Sequence, residues 1–224
     1  MSSFSLRQLA LVTSAEVVGT DEMCAVIPLG NDLRKYSEMM FEAIERRKFI
    51  RGNGVANPKG VLAEEALPNA MRVHDERPYT LGYITTGVAG HFSMNDNADI
   101  FITLIHTLDA RYRRYASFVV STDVMDFLKR IKDSSGQMIW RPAMTVGDPE
   151  MLYGFPVYES EDMPLMKEAR FSAMFGDFVA GYLIKDSPTR YEEDKANREF
   201  IATKRVDGYV KNFNAIKLLK FAEE

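Results

Sequence analysis

The sequence predicts an α+β protein, with helices early in the chain and strands late. Two helical patterns fall before residue 116, at about 32–50 and 96–115. Beyond Asp133 the periodicity shortens to β-like runs punctuated by Gly and Pro. Of the 224 residues, 46% are hydrophobic and 27% charged, which is enough apolar material for a buried core and too much for a disordered chain.

The first helix brings Leu33, Tyr36, Met39, Met40, Ala43 and Ile44 to one face at helical spacing. Asn31 is placed to cap it, Arg46, Arg47 and Lys48 sit where the helix dipole favours cations, and Gly52-Asn53-Gly54 stops it. The second helix carries the stripe Ile100, Phe101, Leu104, Ile105, Leu108 and Tyr112. Asn95 can cap it, with Asp96 and Asp99 in its first turns and Arg111, Arg113 and Arg114 at its end. Ser117 to Val120 reads as a strand, and Ser121 as the cap of a shorter helix over about 122–132. After the turn Ser134-Ser135-Gly136, strands are expected at 137–140, 152–158, 171–175, 181–185, 199–205 and 215–221. In the fifth, Phe200, Ala202 and Lys204 alternate with Ile201, Thr203 and Arg205, which predicts one wetter face. No repeat, heptad series or compositional domain boundary stands out.

The formal net charge of -4 argues against a basic nucleic-acid reader. The single cysteine, Cys24, rules out an intrachain disulfide framework and a multi-cysteine metal site, and points to a reducing cytosol. Residues 1–18 lack a signal-peptide core, and no run is long enough to span a bilayer, so no membrane partner is expected.

Catalytic patterns fail one by one. Gly52-Asn53-Gly54 with Asn57-Pro58-Lys59-Gly60 makes a Gly-rich loop with a lysine, but Lys59 precedes its glycine, Val61 follows, and a helix instead of a strand feeds the loop. His74, His91 and His106 are spaced as neither a helical pair nor a zinc signature. Cys24 has Asp21 and Glu22 beside it, which oppose a thiolate. The adjacent acids Asp75-Glu76 and Glu161-Asp162 diverge in an extended chain and read as solvated loop charge. Trp140, followed by Arg141-Pro142, reads as the anchor of a packed edge. No catalytic, cofactor-binding or metal residue is assigned, and no cofactor.

From about residue 31 onward an ordered series of segments resembles the major capsid proteins of tailed phages, the Hong Kong 97-like fold family. Phe49-Ile50-Arg51-Gly52-Asn53-Gly54, then Asn57-Pro58-Lys59-Gly60-Val61-Leu62, is similar to the family's segment after its spine helix. Tyr112-Arg113-Arg114-Tyr115-Ala116 and Ser117-Phe118-Val119-Val120-Ser121 follow, then Leu128 to Gln137, similar to a family "L-x-x-L-K-D-x-x-G" stretch. The most specific piece is Leu152-Tyr153-Gly154-Phe155-Pro156-Val157 with Asp162-Met163-Pro164. Phe175-Gly176-Asp177-Phe178, Gly181-Tyr182-Leu183-Ile184, Arg205-Val206-Asp207-Gly208 and Ala215-Ile216-Lys217 close the series. In physical terms, Gly154 and Pro156 suit a bent edge strand, Phe155 and Val157 share one face, and Gly176-Asp177 suits a tight turn between strands.

The resemblance implies a Hong Kong 97-like capsid fold with a spine helix, a peripheral domain and an axial domain. The expected division is 1–62 for an N-terminal remnant plus spine helix, 63–164 for the axial domain, and 165–224 for the return to the peripheral domain. It implies a non-enzymatic shell subunit of an icosahedral phage or prophage capsid, made in the host bacterial cytoplasm. Its partners would be copies of itself in pentamers and hexamers, packaged DNA without sequence specificity, and a scaffolding protein, a protease and a portal. Only residues 1–30 precede the spine helix, so much of the family's N-terminal arm and β-hairpin is expected to be missing. A fragment or prophage remnant, a shortened gene-transfer-agent-type subunit, or separately encoded N-terminal parts would each account for that. The rivals are an encapsulin-like shell, a non-assembling remnant, and a small enzyme using His91 or His106 with a carboxylate.

Overall fold

Along the chain, strand β1 (Glu22–Pro28) precedes helix α1 (Leu33–Arg51), β2 (Ala66–Pro68) and β3 (Leu81–Ala89). Helices α2 (Asp99–Thr107) and α3 (Ala110–Arg113) lead into β4 (Ser117–Val120) and α4 (Thr122–Arg130). Then come β5 (Trp140–Arg141), β6 (Glu150–Leu152), β7 (Phe155–Glu159), β8 (Phe171–Gly176) and the helical turn α5 (Phe178–Gly181). The chain finishes with β9 (Tyr182–Asp186), β10 (Arg190–Asp194), β11 (Glu199–Val210) and β12 (Ile216–Ala222). This computed structural model describes residues 22–28, 33–71, 79–92, 99–132, 136–145, 147–167, 169–194 and 199–223. The expected caps Asn31 and Asn95, the residues His74, Asp75 and Glu76, and the turn residues Ser134 and Ser135 lie outside the described residues. The fold is α+β, but β1 and β3 stand early, so helices and strands are interleaved more than the sequence suggests.

The chain divides into two compact units, one of residues 1–63 and 184–209, the other of 64–183 and 210–224. In the first unit β11 runs antiparallel to β1, from Glu22 opposite Arg205 to Pro28 opposite Glu199, and antiparallel to β10. Helix α1 packs on this sheet through Phe41, buried against Ala202 and Val206, with Ile44, Phe49 and Tyr191 around them. The face of α1 that is buried differs from the expected stripe. Ser37 and Phe41 are inside, while Tyr36 and Met39 are exposed. Polarity is no bar to Ser37, because its hydroxyl donates to the Arg34 carbonyl at 2.7 Å. On β11, Ala202 and Val206 are buried and Arg205 is exposed, as alternation requires, while Thr203 and Ile201 are half-buried. Lys204 shares the inner face because its ammonium meets Glu45 of α1 at 2.6 Å and Asp186 at 3.6 Å.

The second unit holds an eight-stranded sheet in the order β2-β3-β12-β8-β4-β7-β6-β5. β12 is parallel to β3 and antiparallel to β8; β4 is antiparallel to β8 and parallel to β7. Phe118, Phe175, Leu219 and Phe221 from these strands meet Phe101, Leu104 and Leu108 beside α2 and Val124 and Leu128 of α4 in one core. Aromatic edges fill it: the ring centroids of Phe118 and Phe175 lie 4.4 Å apart, and those of Phe118 and Phe101 6.0 Å. Because β8 and β12 are interior strands of this sheet, residues 165–183 and 210–224 belong to this unit.

The expected single helix to residue 115 is two. α2 ends at Thr107, whose hydroxyl donates to the Leu104 carbonyl at 2.7 Å. The Arg113 guanidinium then takes the freed carbonyls, Nη2 to His106 O at 2.9 Å and Nε to Leu108 O at 2.8 Å. Helical spacing of apolar residues continues through the break, and only this side-chain capping reveals it. Ser121 is buried at the start of α4 and accepts from the Val124 N–H, as its position predicts. Ser121→Ala should lower stability by about 1 kcal/mol, read as a fall of roughly 2–4 °C in melting temperature.

The run at 152–158 is a hairpin. Tyr153 and Gly154 both have positive φ, 51° and 86°, the signature of a two-residue type I′ turn between β6 and β7. β7 is therefore interior, flanked by β4 and β6, and not the bent edge its Gly and Pro suggest. Val157 is buried and Phe155 packs against the same core, so the two do share a face. Gly176-Asp177 leads into α5 before β9: the Asp177 carboxylate accepts from the Ala180 N–H at 2.9 Å. The strand expected from 137 begins only at Trp140.

Candidate assembly surface

The Gly-rich loop is closed upon itself. Asn57 Oδ1 accepts from the Asn53 N–H, Asn53 Oδ1 accepts from the Val55 N–H, and Asn57 Nδ2 donates back to Asn53 Oδ1 at 2.7 Å. The Asn53 and Val55 backbone donors, which a phosphate cradle would turn outward, are thereby used within the loop. The Lys59 N–H donates to the Gly208 carbonyl at 2.8 Å, which ties the loop to β11. His91 is exposed, with Nδ1 2.8 Å from the Ala89 carbonyl, and His106 is exposed at the end of α2. Cys24 lies in β1 opposite Thr203. Glu161 is exposed and Asp162 half-buried, in the turn after β7. Among the described residues no cluster of His, Cys, Asp or Glu is arranged to hold a metal ion. No helix among them is long and apolar enough to cross a membrane.

Trp140 anchors the β5 edge. Its Nε1–H donates to Glu150 Oε2 at 3.2 Å, Lys129 lies 5.6 Å from its ring centroid, and the same Lys129 meets Glu150 at 3.3 Å.

The second unit carries an open cleft of about 440 Å³, between the link from α3 to β4 and the β6–β7 hairpin. The parallel register, Phe118 opposite Val157, brings Arg113 to Ser117 beside Gly154 to Pro156. Arg113 is held by its two carbonyl contacts, and Arg114 stacks 5.3 Å from the Tyr115 ring centroid. Tyr115 is 68% exposed and Tyr158 50% exposed, both lining the cleft. At the turn of the hairpin, burial and then the charge of Asp99 push the Tyr153 phenol above its ordinary pKa, so it stays a neutral hydroxyl across the working range. Exposed aromatic and Arg side chains around a concavity are what protein interfaces are enriched in. In the sequence these residues stand as a helix end and as family motifs, with no surface role assigned to them.

Comparison with known proteins gives this surface its context. Residues 26–221 match the sequence profile of the phage capsid family. The capsid of an empty GTA particle, computed with C5 symmetry, is 34% identical with a TM-score of 0.78, covering 91% of this chain and 74% of that one. The capsid of the native GTA particle is 33% identical with a TM-score of 0.78, covering 90% and 72%. The holo-SrpI encapsulin complex from Synechococcus elongatus PCC 7942 shares the fold, with a TM-score of 0.56 at 12% identity over 89% of this chain and 72% of that one. No curated protein matches the chain. With a family match spanning most of its length and the Hong Kong 97-like architecture throughout, this chain belongs to the phage capsid family, as a structural subunit of a capsid shell.

Proposed function

We propose that the chain builds an icosahedral phage or prophage shell by closing into pentamers and hexamers around packaged DNA. The observation that carries this reading is the likeness to the GTA capsids, at 34% identity over 91% of the chain. The unit of residues 1–63 and 184–209, with α1 as its spine helix, is then the peripheral domain. The unit of residues 64–183 and 210–224 is the axial domain, gathered at capsomer centres. Assembly runs on surface complementarity and needs no catalytic group. Before assembly the subunit is made in the host cytoplasm, where a scaffolding protein, a protease and a portal are its further partners. A gene-transfer-agent-type shell is a second reading, favoured by the same identity.

Size-exclusion chromatography with light scattering, then negative-stain microscopy of any high-mass peak, tests the proposal. Pentamers, hexamers or closed shells are expected. A monomer at every concentration and salt tried would overturn it. Nucleic acid that survives nuclease treatment inside purified particles is expected for a DNA shell, and protein cargo for an encapsulin-like one.

A further inference from the structure

The two ends of the β4–β7 strand pair carry opposite charge. At one end lie Arg113 and Arg114 on the cleft. At the other, where the Ser160 N–H donates to the Val120 carbonyl at 2.9 Å, lie Glu159, Glu161 and Asp162. Roughly 13 Å of strand separates them, from the rise of a β-strand over residues 155–159. Neither set is neutralised in place. Arg113 gives its donors to uncharged carbonyls and Arg114 to a ring face. Glu159, Glu161 and Asp162 form no ion pair with another described residue.

We infer that the cleft receives the acidic end of β7 from a second copy of this chain, so that neighbouring subunits join head to tail. The inference rests on the shell-subunit reading and adds which surfaces meet. Two copies facing cleft to cleft would bring four arginines together, and acid end to acid end would bring six carboxylates together. Like-on-like contacts are therefore disfavoured, and a contact of cleft with acidic end is favoured, which closes into rings when each copy gives its acidic end to the next. The exposed rings of Tyr115 and Tyr158 supply apolar contact area beside the charges, on a cleft of about 440 Å³.

Arg114→Glu, Glu161→Arg and the double variant decide the matter, each with the assembly threshold read by light scattering and the fold checked by melting temperature. Each single reversal should raise the threshold concentration about tenfold or more, and the double should recover most of that loss. High salt should raise the unsubstituted threshold and lower that of the singles. If the unsubstituted chain never assembles, the shell reading and this inference fall together. If it assembles and the single variants assemble at the same threshold, only this inference falls. Unchanged assembly with lost retention on double-stranded DNA would place nucleic acid in the cleft and overturn the inference. Should a reversal melt early, Arg114→Gln and Glu161→Gln replace it, with a rise of about threefold expected and no rise overturning the proposal.

Discussion

Gly176→Ala is expected to destabilise the second unit by about 3 kcal/mol or more and to abolish soluble assembly. A β-carbon at Gly176 would lie 2.8 Å from the Ile216 α-carbon and closer still to the Ala215 carbonyl oxygen. Those are backbone atoms of the neighbouring strand, so no side-chain rotation relieves the clash. The strands must separate where Ile216 pairs with Gly176 and where the Asp177 N–H donates to Ala215 O at 3.0 Å. A fall of roughly 6–12 °C in melting temperature should follow for a chain of this length. Gly87→Ala is the control: its β-carbon meets nothing within 4 Å, so only the strain of its positive φ, about 1–2 kcal/mol, is added. Equal melting shifts for the two variants would show that close approach at Gly176 is not what the sheet depends on.

Phe118→Ala should cost about 3–5 kcal/mol. The side chain is fully buried at the centre of the eight-stranded sheet, and its ring touches those of Phe101, Phe155 and Phe175. Three elements lose a common partner at once, and the sheet above it cannot collapse to fill the space because β4 is pinned by β7 and β8 on either side. Urea titration should show the loss as a lower midpoint with the slope unchanged. Tyr158→Ala, on the same sheet but half exposed, should change stability by no more than about 0.5 kcal/mol, while acting on the cleft. A Phe118→Ala chain as stable as Tyr158→Ala would contradict the core described above.

Much of the architecture is legible in residue order. α4 stands where its Ser121 cap puts it, and α1 ends among the basic residues that the dipole signal singled out, because those signals are local. What the sequence hides is set by distant partners. β10 is not among the expected strands, yet Arg190 to Asp194 form one because β11 supplies their hydrogen bonds. β3 lacks alternation, since Leu81 and Gly82 are both buried in a sheet covered unevenly. The buried face of α1 is offset from its apolar stripe because Ser37 satisfies itself and Met39 faces away from the sheet. The cleft is hidden for a related reason. Arg113 and Pro156 are far apart in sequence and come together only through the parallel register of β4 and β7. The motifs that carry the family resemblance include Arg113 to Ser117 and Gly154 to Pro156, but nothing in their order along the chain shows that they line one cleft.

The position of β12 bears on how the protein is made. It is inserted between β3 and β8, so the larger sheet stays split in two until residues 216–222 arrive. A nascent chain halted before Ile216 can form the β4–β8 and β6–β7 pairings, but it leaves the open edges of β3 and β8 facing each other across a gap. Folding of this unit therefore waits on translation of its last strand. A chain cut short upstream of that strand would leave the β2–β3 pair unjoined to the rest of the sheet.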